Sequence, residues 1–389
     1  MKILMLTDVY FPRVNGVSTS IQTFRRELRE LGHEIWVVAP EYGQPTADER
    51  DIDRIISRRV LFDPEDRMMR LRLLARRLES FQHADFDLVH IQTPFVAHYA
   101  GLRLARRLGI PCVETYHTFF EEYLFHYLPI LPKGVWRAVA RRLSRRQCNN
   151  LDGLVAPSQA MLEVLVRYGV RTKMRVIPTG MPEDNFQEGD GVAFRARHGI
   201  GRDQPVLVYV GRVAFEKNIE FLLRVVQVLK QTTHPEVMLI VAGEGPAKNR
   251  LRGQGSALGL ENNLRFVGYL ARGADLSSCY QSGDVFVFAS RTETQGLVLL
   301  EAMSLGVPVV STAVMGARDI LAAGRGALIA EEDLLHFAAQ VRRLLDDAEL
   351  RRRLGEEGRV YAGQWTARGP AQALLAFYQE LLDQRSRVE

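Results

Sequence analysis

Cysteine is scarce: three residues in 389, Cys112, Cys148 and Cys279. The number is odd and the spacing fits neither a metal site nor a redox pair. That excludes a disulfide framework and leads us to expect a reducing compartment with small, buried, inert thiols. No stretch approaches the ~20 apolar residues of a membrane-spanning helix. The opening run, Met1-Lys2-Ile3-Leu4-Met5-Leu6-Thr7-Asp8, is too short for a signal peptide. The expected location is the cytoplasm, either free or on a membrane surface. There is no sequence repeat and no low-complexity tract. No G-x-G-x-x-G follows the first strand, which removes the usual dinucleotide fingerprint. No His/Cys cluster has zinc spacing, and no Asp-x-Asp is read as holding Mg²⁺ to a diphosphate. No metal and no cofactor are expected.

What is present is a long chain of ordinary globular composition, beyond the size at which a single core keeps growing, so two domains are expected. Its +5 net charge is unevenly placed. Residues 1–180 hold 27 Lys and Arg against 20 Asp and Glu, and the rest hold 24 against 26. Arg67 to Arg77 contains five arginines and no acid; Lys133 to Arg146 contains six cations and no acid.

Short apolar runs alternate with helical stretches. Strands are predicted at Lys2–Leu6, Ile35–Ala39, Leu88–Ile91, Cys112–Thr115, Gly153–Ala156 and Arg175–Ile177. Helices are predicted from about Val17 to Leu31 and around Ala97 to Leu108. Turn formers from Pro178 to Asn185, extended by Gly189-Asp190-Gly191, break the series. It restarts with Val206–Val210, Val237–Ala242, Leu264–Val267, Val285–Phe288 and Val307–Val310, and the chain ends in a helix from roughly Gly369 to Asp383. The expected fold is α/β: two doubly wound parallel sheets whose edges face a cleft. The expected boundaries are 1–180, 181–368 and 369–389.

Chemistry concentrates where strands meet helices. Glu293 lies on the loop after the Val285–Phe288 strand, and Glu301 lies in the second turn of the next helix, Leu297 to Leu305. That edge of an open α/β sheet binds ligands, and free N–H groups at the helix start suit a phosphate. Carboxylates beside an anion site suit a ligand with both hydroxyls and phosphates, such as a nucleotide sugar. Gly211-Arg212 ends a strand, and Glu216-Lys217-Asn218 opens a helix with Asn218 as a plausible N-cap. Arg212 and Lys217 are then two cations at the same edge, placed to stabilise a departing diphosphate, though an ordinary surface loop reads the same way. In Gly243-Glu244-Gly245-Pro246 the glycines permit a tight turn and Pro246 suits a first helical position. Phe266-Val267-Gly268 ends a strand whose backbone could receive a nucleobase edge. In the first half, Gly16 of Asn15-Gly16-Val17 could let backbone approach a phosphate. His117 follows a strand end and reads equally as a structural histidine; His90, also at a strand end, has no assigned role.

These motifs, in this order and spanning nearly the whole chain, resemble glycosyltransferase family 4, retaining enzymes of the GT-B fold. The resemblance implies roles. Glu301 would hold the donor ribose, and Glu293 would touch the transferred sugar near its 3- and 4-hydroxyls. Gly296, Leu297 and Val298 would offer N–H groups to sugar or phosphate. Arg212 and Lys217 would neutralise the diphosphate, with Gly16 approaching it from the other domain. His117 would lie beside the sugar. The last helix would return to the N-terminal domain. Gln295 stands where the family usually carries an aromatic residue. Within the family, His117-Thr118-Phe119-Phe120-Glu121-Glu122-Tyr123 resembles bacterial diacylglycerol glucosyltransferases and related glycolipid synthases.

The following segment has its own pattern. Val135, Trp136, Val139, Ala140 and Leu143 recur at helical spacing, with Lys133, Arg137, Arg141, Arg142, Arg145 and Arg146 among them. Such a helix lies in a membrane interface or buries its stripe in the domain. The expectation is a hexosyltransferase, peripheral on the inner face of the cell membrane, moving glucose from UDP-glucose to a lipid such as diacylglycerol. Alternatives are a GDP-mannose-dependent mannosyltransferase acting on a lipid or lipopolysaccharide, a non-hydrolysing nucleotide-sugar epimerase, and a non-catalytic membrane-binding module. Nucleic acid is not expected as a partner.

Overall fold

The computed structural model describes all residues except 44–49, 61–62, 118, 120–132, 182–186 and 387–389; for 63–66 and 133 it describes backbone only. The chain divides into two compact units, Met1–Gly180 with Ala367–Glu389, and Met181–Thr366.

The first unit is built on a seven-stranded parallel sheet. Its strands are β1 (Lys2–Leu6), β2 (Glu34–Pro40), β3 (Ile52–Ile55), β6 (Leu88–Ile91), β7 (Cys112–Thr115), β8 (Gly153–Ala156) and β9 (Lys173–Val176), in the order β3-β2-β1-β6-β7-β8-β9. Strands covered on both faces read as continuous apolar runs, and β6, β7 and β8 are buried along their whole length. Helix α1 (Gly16–Glu30) starts with a capping box: the Asn15 side chain accepts from Ser18 N–H, and the Ser18 hydroxyl accepts from Asn15 N–H. Helices α2 (Leu71–Glu79), α3 (Val96–Leu108), α4 (Lys133–Cys148) and α5 (Gln159–Arg167) follow in chain order.

The second unit holds a six-stranded parallel sheet. The strands are β10 (Val206–Val210), β11 (Met238–Ala242), β12 (Leu264–Gly268), β13 (Val285–Phe288), β14 (Val309–Ser311) and β15 (Ala327–Ile329), in the order β12-β11-β10-β13-β14-β15. Helices α6 (Gly191–Arg197), α7 (Ile219–Thr232), α8 (Lys248–Ala257), α9 (Ala274–Gln281), α10 (Leu297–Ser304), α11 (Gly316–Leu321), α12 (Leu334–Asp346) and α13 (Ala348–Ala362) complete it. Its core gathers Val208, Phe286, Phe288, Ile240 and Phe337, all essentially inaccessible to water. The last helix, α14 (Arg368–Ser386), belongs to the first unit. It buries Leu374, Phe377 and Tyr378 in one core with Ile3, Met5 and Phe24.

Several local expectations need correction. β3 and β15, both edge strands, carry no clear strand signal in the sequence, because their runs are short and half exposed. An antiparallel hairpin, β4 (Ser57–Val60) with β5 (Asp63–Met69), was missed too, so Arg67 lies on a strand while Arg70 to Arg77 lead into and form α2. Asn218 precedes α7 but in the left-handed conformation, and its side chain bonds Glu332 rather than capping the helix. Pro246 sits in a turn two residues before α8. All three cysteines are buried free thiols.

Candidate active site

Each sheet has one point where the strand order reverses, and open α/β sheets bind ligands there, beyond the carboxyl ends of the strands. In the second unit the reversal falls between β10 and β13. The loops leaving these strands carry Arg212 and Lys217 on one side and Glu293 on the other. The Lys217 ammonium donates to Glu293 Oε2 at 2.7 Å, across the reversal point. Sequence reading gave these two residues separate duties; the structure pairs them. Arg212 stands 3.8 Å from Glu216, and its carbonyl accepts from the Tyr209 hydroxyl.

The three glycine motifs lace together behind this pair. Gly211 N–H donates to Ala242 O, Gly243 N–H to Gly268 O, and Val213 N–H to Glu244 O. Gly243 has φ +131°, and a Cβ there would lie 2.0 Å from Gly211 O. Its glycine is required by loop packing. The register of β12 against β11 skips one residue: Phe266 pairs with Val241 and Gly268 with Ala242, which leaves Val267 at the bulge. A bulged residue stands outside the regular pairing of the ladder, which is where the Val267 backbone lies.

Glu301 projects from α10, whose N-cap is Gly296 at φ +97° with no side-chain capping bond. The first-turn N–H groups of Leu297 and Val298 therefore have no intrahelical acceptor. The carboxylate is held on both oxygens. Tyr280 donates to Oε2 at 2.8 Å and Arg272 to Oε1 at 3.2 Å. Burial pushes the Tyr280 phenol well above its ordinary range, so it stays a donor. Neither Tyr280 nor Arg272 was singled out from sequence; they lie 21 and 29 residues from Glu301, with no periodic signal linking them. Gln295 is buried, and the Glu293 carbonyl accepts from Gly316 N–H at 2.8 Å.

In the first unit the order reverses between β1 and β6. Gly16 is the exposed first residue of α1, with nothing within 4 Å of where a Cβ would sit. His117 follows β7, and its Nε2 lies 3.1 Å from Gln92 Oε1. Burial lowers its pKa to about 4. His90 is fully buried, and burial drives its pKa to about 3. Its ring bonds the Tyr378 hydroxyl of α14 at 2.6 Å and the Thr115 hydroxyl at 2.8 Å. Its place is thus structural, tying the last helix to the sheet. Thr118 and residues 120–123 lie outside the described residues.

Two Asp-x-Asp triplets do occur, Asp51-Ile52-Asp53 and Asp85-Phe86-Asp87. Both lie at the amino ends of strands, away from the ligand edge. Asp51 pairs with Arg25, Asp53 with Arg77 and the Trp36 indole, and Asp87 holds Lys2 N–H. Among the described residues no group of three or more His, Cys, Asp or Glu could hold a metal ion.

The basic helix α4 splits its apolar stripe. Ala140 is buried with Ser144, Gln147 and Cys148, while Trp136 and Leu143 are half-buried. Val135 and Val139 remain 46% and 44% exposed, one turn apart, beside exposed Arg142 and Arg146. In the other basic stretch, Arg67 bonds Tyr42 O and Arg77 pairs with Asp53, leaving Arg70, Arg72 and Arg76 on the surface. No helix among the described residues is long and apolar enough to cross a membrane.

A model for group 1 glycosyl transferases matches residues 192–361, and one for glycosyltransferase family 4 matches residues 14–185. The chain is similar to an alpha-monoglucosyldiacylglycerol synthase of Streptococcus pneumoniae, 32% identical over 80% of this chain and 71% of that protein. It is also similar to a GDP-mannose-dependent alpha-mannosyltransferase of Mycolicibacterium smegmatis, 29% identical over 99% of each. Its fold matches sucrose-phosphate synthase of Thermosynechococcus elongatus with TM-score 0.79 at 21% identity, covering 99% of this chain and 100% of that one. The chain has the GT-B fold and belongs to glycosyltransferase family 4, as a hexosyltransferase.

Proposed function

We propose that this enzyme moves a hexose, with retention, from a nucleotide diphosphate sugar to a membrane lipid, with UDP-glucose and diacylglycerol the favoured pair. The observation that carries the donor side is the Lys217–Glu293 pair at the reversal of the second sheet, with doubly held Glu301 on the helix that follows. Glu301 has one protein partner on each oxygen, and each oxygen keeps lone-pair capacity for a hydroxyl, which suits a ribose diol. Lys217 has three donors, so it can keep Glu293 and take a phosphate oxygen. Arg212 adds a second cation. Leu297 and Val298 offer N–H groups at a helix start, and Val267 offers backbone to the base. Glu293 receives the sugar hydroxyls. From the first unit, Gly16 serves the diphosphate and His117 the transferred sugar.

Charge builds on the departing diphosphate, and fixed cations lower that barrier without a metal. In this reading the leaving phosphate takes the acceptor proton on the front face, and Glu293 is not a nucleophile. The name of the pneumococcal relative supports glucose and a diacylglycerol acceptor. The mycobacterial relative supports the second reading, GDP-mannose as donor. The exposed Val135, Val139, Arg142 and Arg146 support docking on the inner face of an anionic membrane, where each cation adds about 1 kcal/mol.

A panel of UDP- and GDP-hexoses with mixed lipid vesicles, read by mass of the lipid product, tests this. A hexosyl-diacylglycerol from UDP-glucose, unaffected by a chelator, is the expected outcome. Glu293→Gln should lower turnover about 10²-fold. Sugar transfer to no lipid, or wild-type turnover in Glu293→Gln, would overturn it.

A further inference from the structure

His117 and Gln92 stand at the carboxyl ends of neighbouring strands, β7 and β6. Gln92 is 2% exposed, and its N–H is fixed to Leu6 O at 2.9 Å, so its position is set by the sheet. Its side-chain oxygen can only accept a hydrogen bond. At 3.1 Å from His117 Nε2, it requires the proton of a neutral ring to sit on that nitrogen. Nδ1 then carries a lone pair, and no described residue bonds it.

Among the described residues, the ionisable groups around the ring leave this arrangement undisturbed. His90 on β6 is held at both nitrogens, and Tyr378 of α14 is committed to His90. Tyr116, next in the chain, bonds Ser144, and Glu114 on β7 bonds His98. With burial lowering its pKa to about 4, His117 is neutral through the physiological range.

We propose that Gln92 is a positioning residue: it locks His117 as the Nε2–H tautomer and so makes Nδ1 a hydrogen-bond acceptor for a hydroxyl of the transferred sugar. The inference rests on the sugar-side role of His117 given above. A tautomer fixed by a neighbour's hydrogen bond is the usual means of setting which imidazole nitrogen meets a ligand. A carboxylate in place of the amide would stabilise the imidazolium and turn Nδ1 into a donor, so that as pH falls the sugar hydroxyl would have to accept at that nitrogen instead of donating to it.

The experiment combines ¹⁵N-histidine NMR of the full chain with kcat/KM against pH for wild type, Gln92→Glu and Gln92→Met. Wild type should show the Nε2–H tautomer for His117 at pH 7. Gln92→Glu should raise the His117 pKa and lower kcat/KM at pH 6 by about tenfold, while staying within about threefold of wild type at pH 8.5. Gln92→Met should give a tautomer mixture and lower turnover without the acidic limb. A charged or Nδ1–H ring in the wild type would overturn the proposal. So would a Gln92→Glu profile parallel to wild type. If the tautomer shifts as described but turnover does not, His117 has no sugar contact, although glycosyl transfer itself stands. If the wild type transfers no sugar, the proposed function fails while the spectra still decide the tautomer.

Discussion

Tyr280→Phe removes a single oxygen atom and tests whether Glu301 binds donor as a pre-oriented carboxylate. The phenol is 1% exposed and donates to Glu301 Oε2 at 2.8 Å. A hydrogen bond to a charged acceptor contributes about 1.5–3 kcal/mol. Phenylalanine keeps the ring against Phe286, 5.5 Å away between centroids, so packing is retained. Arg272 still holds Oε1, so part of the orientation survives. The lower figure is therefore the right one: about 1.5 kcal/mol, or a roughly tenfold weaker donor complex. The ribose lies far from the bond that breaks, so the loss should be uniform binding, with donor KM raised and kcat within about twofold. Initial rates against donor concentration, with calorimetric titration of UDP, measure both. The deciding control is the Glu301→Gln background. If Tyr280 acts through Glu301, its substitution should add almost nothing there, because residues in one network are non-additive. An unchanged KM in the single variant, or the same tenfold loss in both backgrounds, refutes the reasoning.

Other outcomes follow from the same structure. Asp8 is buried, and burial holds its pKa at about 6 against an ordinary 3.8, so the folded state binds a proton that the unfolded chain releases. Stability is lost as pH rises through that window, by about 3 kcal/mol in all and close to half of it between pH 5 and 8; urea melts should show Asp8→Asn gaining on wild type by that half. Gly243→Ala places a Cβ 2.0 Å from Gly211 O at a left-handed φ. It should cost about 3 kcal/mol and lower Tm by roughly 10 °C, and a calorimetric Tm within ~2 °C of wild type would contradict the packing account. Val135→Asp with Val139→Asp should weaken flotation with anionic vesicles by at least about tenfold, and binding indifferent to the change would remove α4 from the membrane face.

Much of the architecture is legible because buried parallel strands are nearly pure apolar runs. Val206–Val210 and Val285–Phe288 are read off the chain, and the loops that follow them lead directly to Arg212, Lys217, Glu293 and Glu301. Strands at the sheet edges are not legible: Ile52–Ile55 is half polar and Ala327–Ile329 only three residues long. The partnerships are not legible either. Lys217 meets Glu293 across 76 residues, and Gln92 meets His117 across 25, because sheet topology, not spacing, brings strand ends together. The carboxylate supports Tyr280 and Arg272 sit in the short helix α9 and in the loop before it, where each looks like ordinary packing or surface charge.

The Lys217–Glu293 pair has a consequence for how the proposed reaction is balanced. Both side chains are about four-fifths shielded from water, at 17% and 20% exposure, so neither charge is easily left alone. The pair is neutral as a unit because each charge offsets the other. An incoming donor brings a diphosphate that calls on the ammonium and hydroxyls that call on the carboxylate. Each side chain thus exchanges or shares a partner without losing compensation. Diphosphate alone draws on the lysine, whose other N–H groups keep Glu293, and free hexose draws on the carboxylate alone. Only a ligand with both groups gives both side chains a new partner at once. In the proposed reading, selectivity for a sugar joined to a diphosphate, over either fragment, is the expected consequence of the pairing itself.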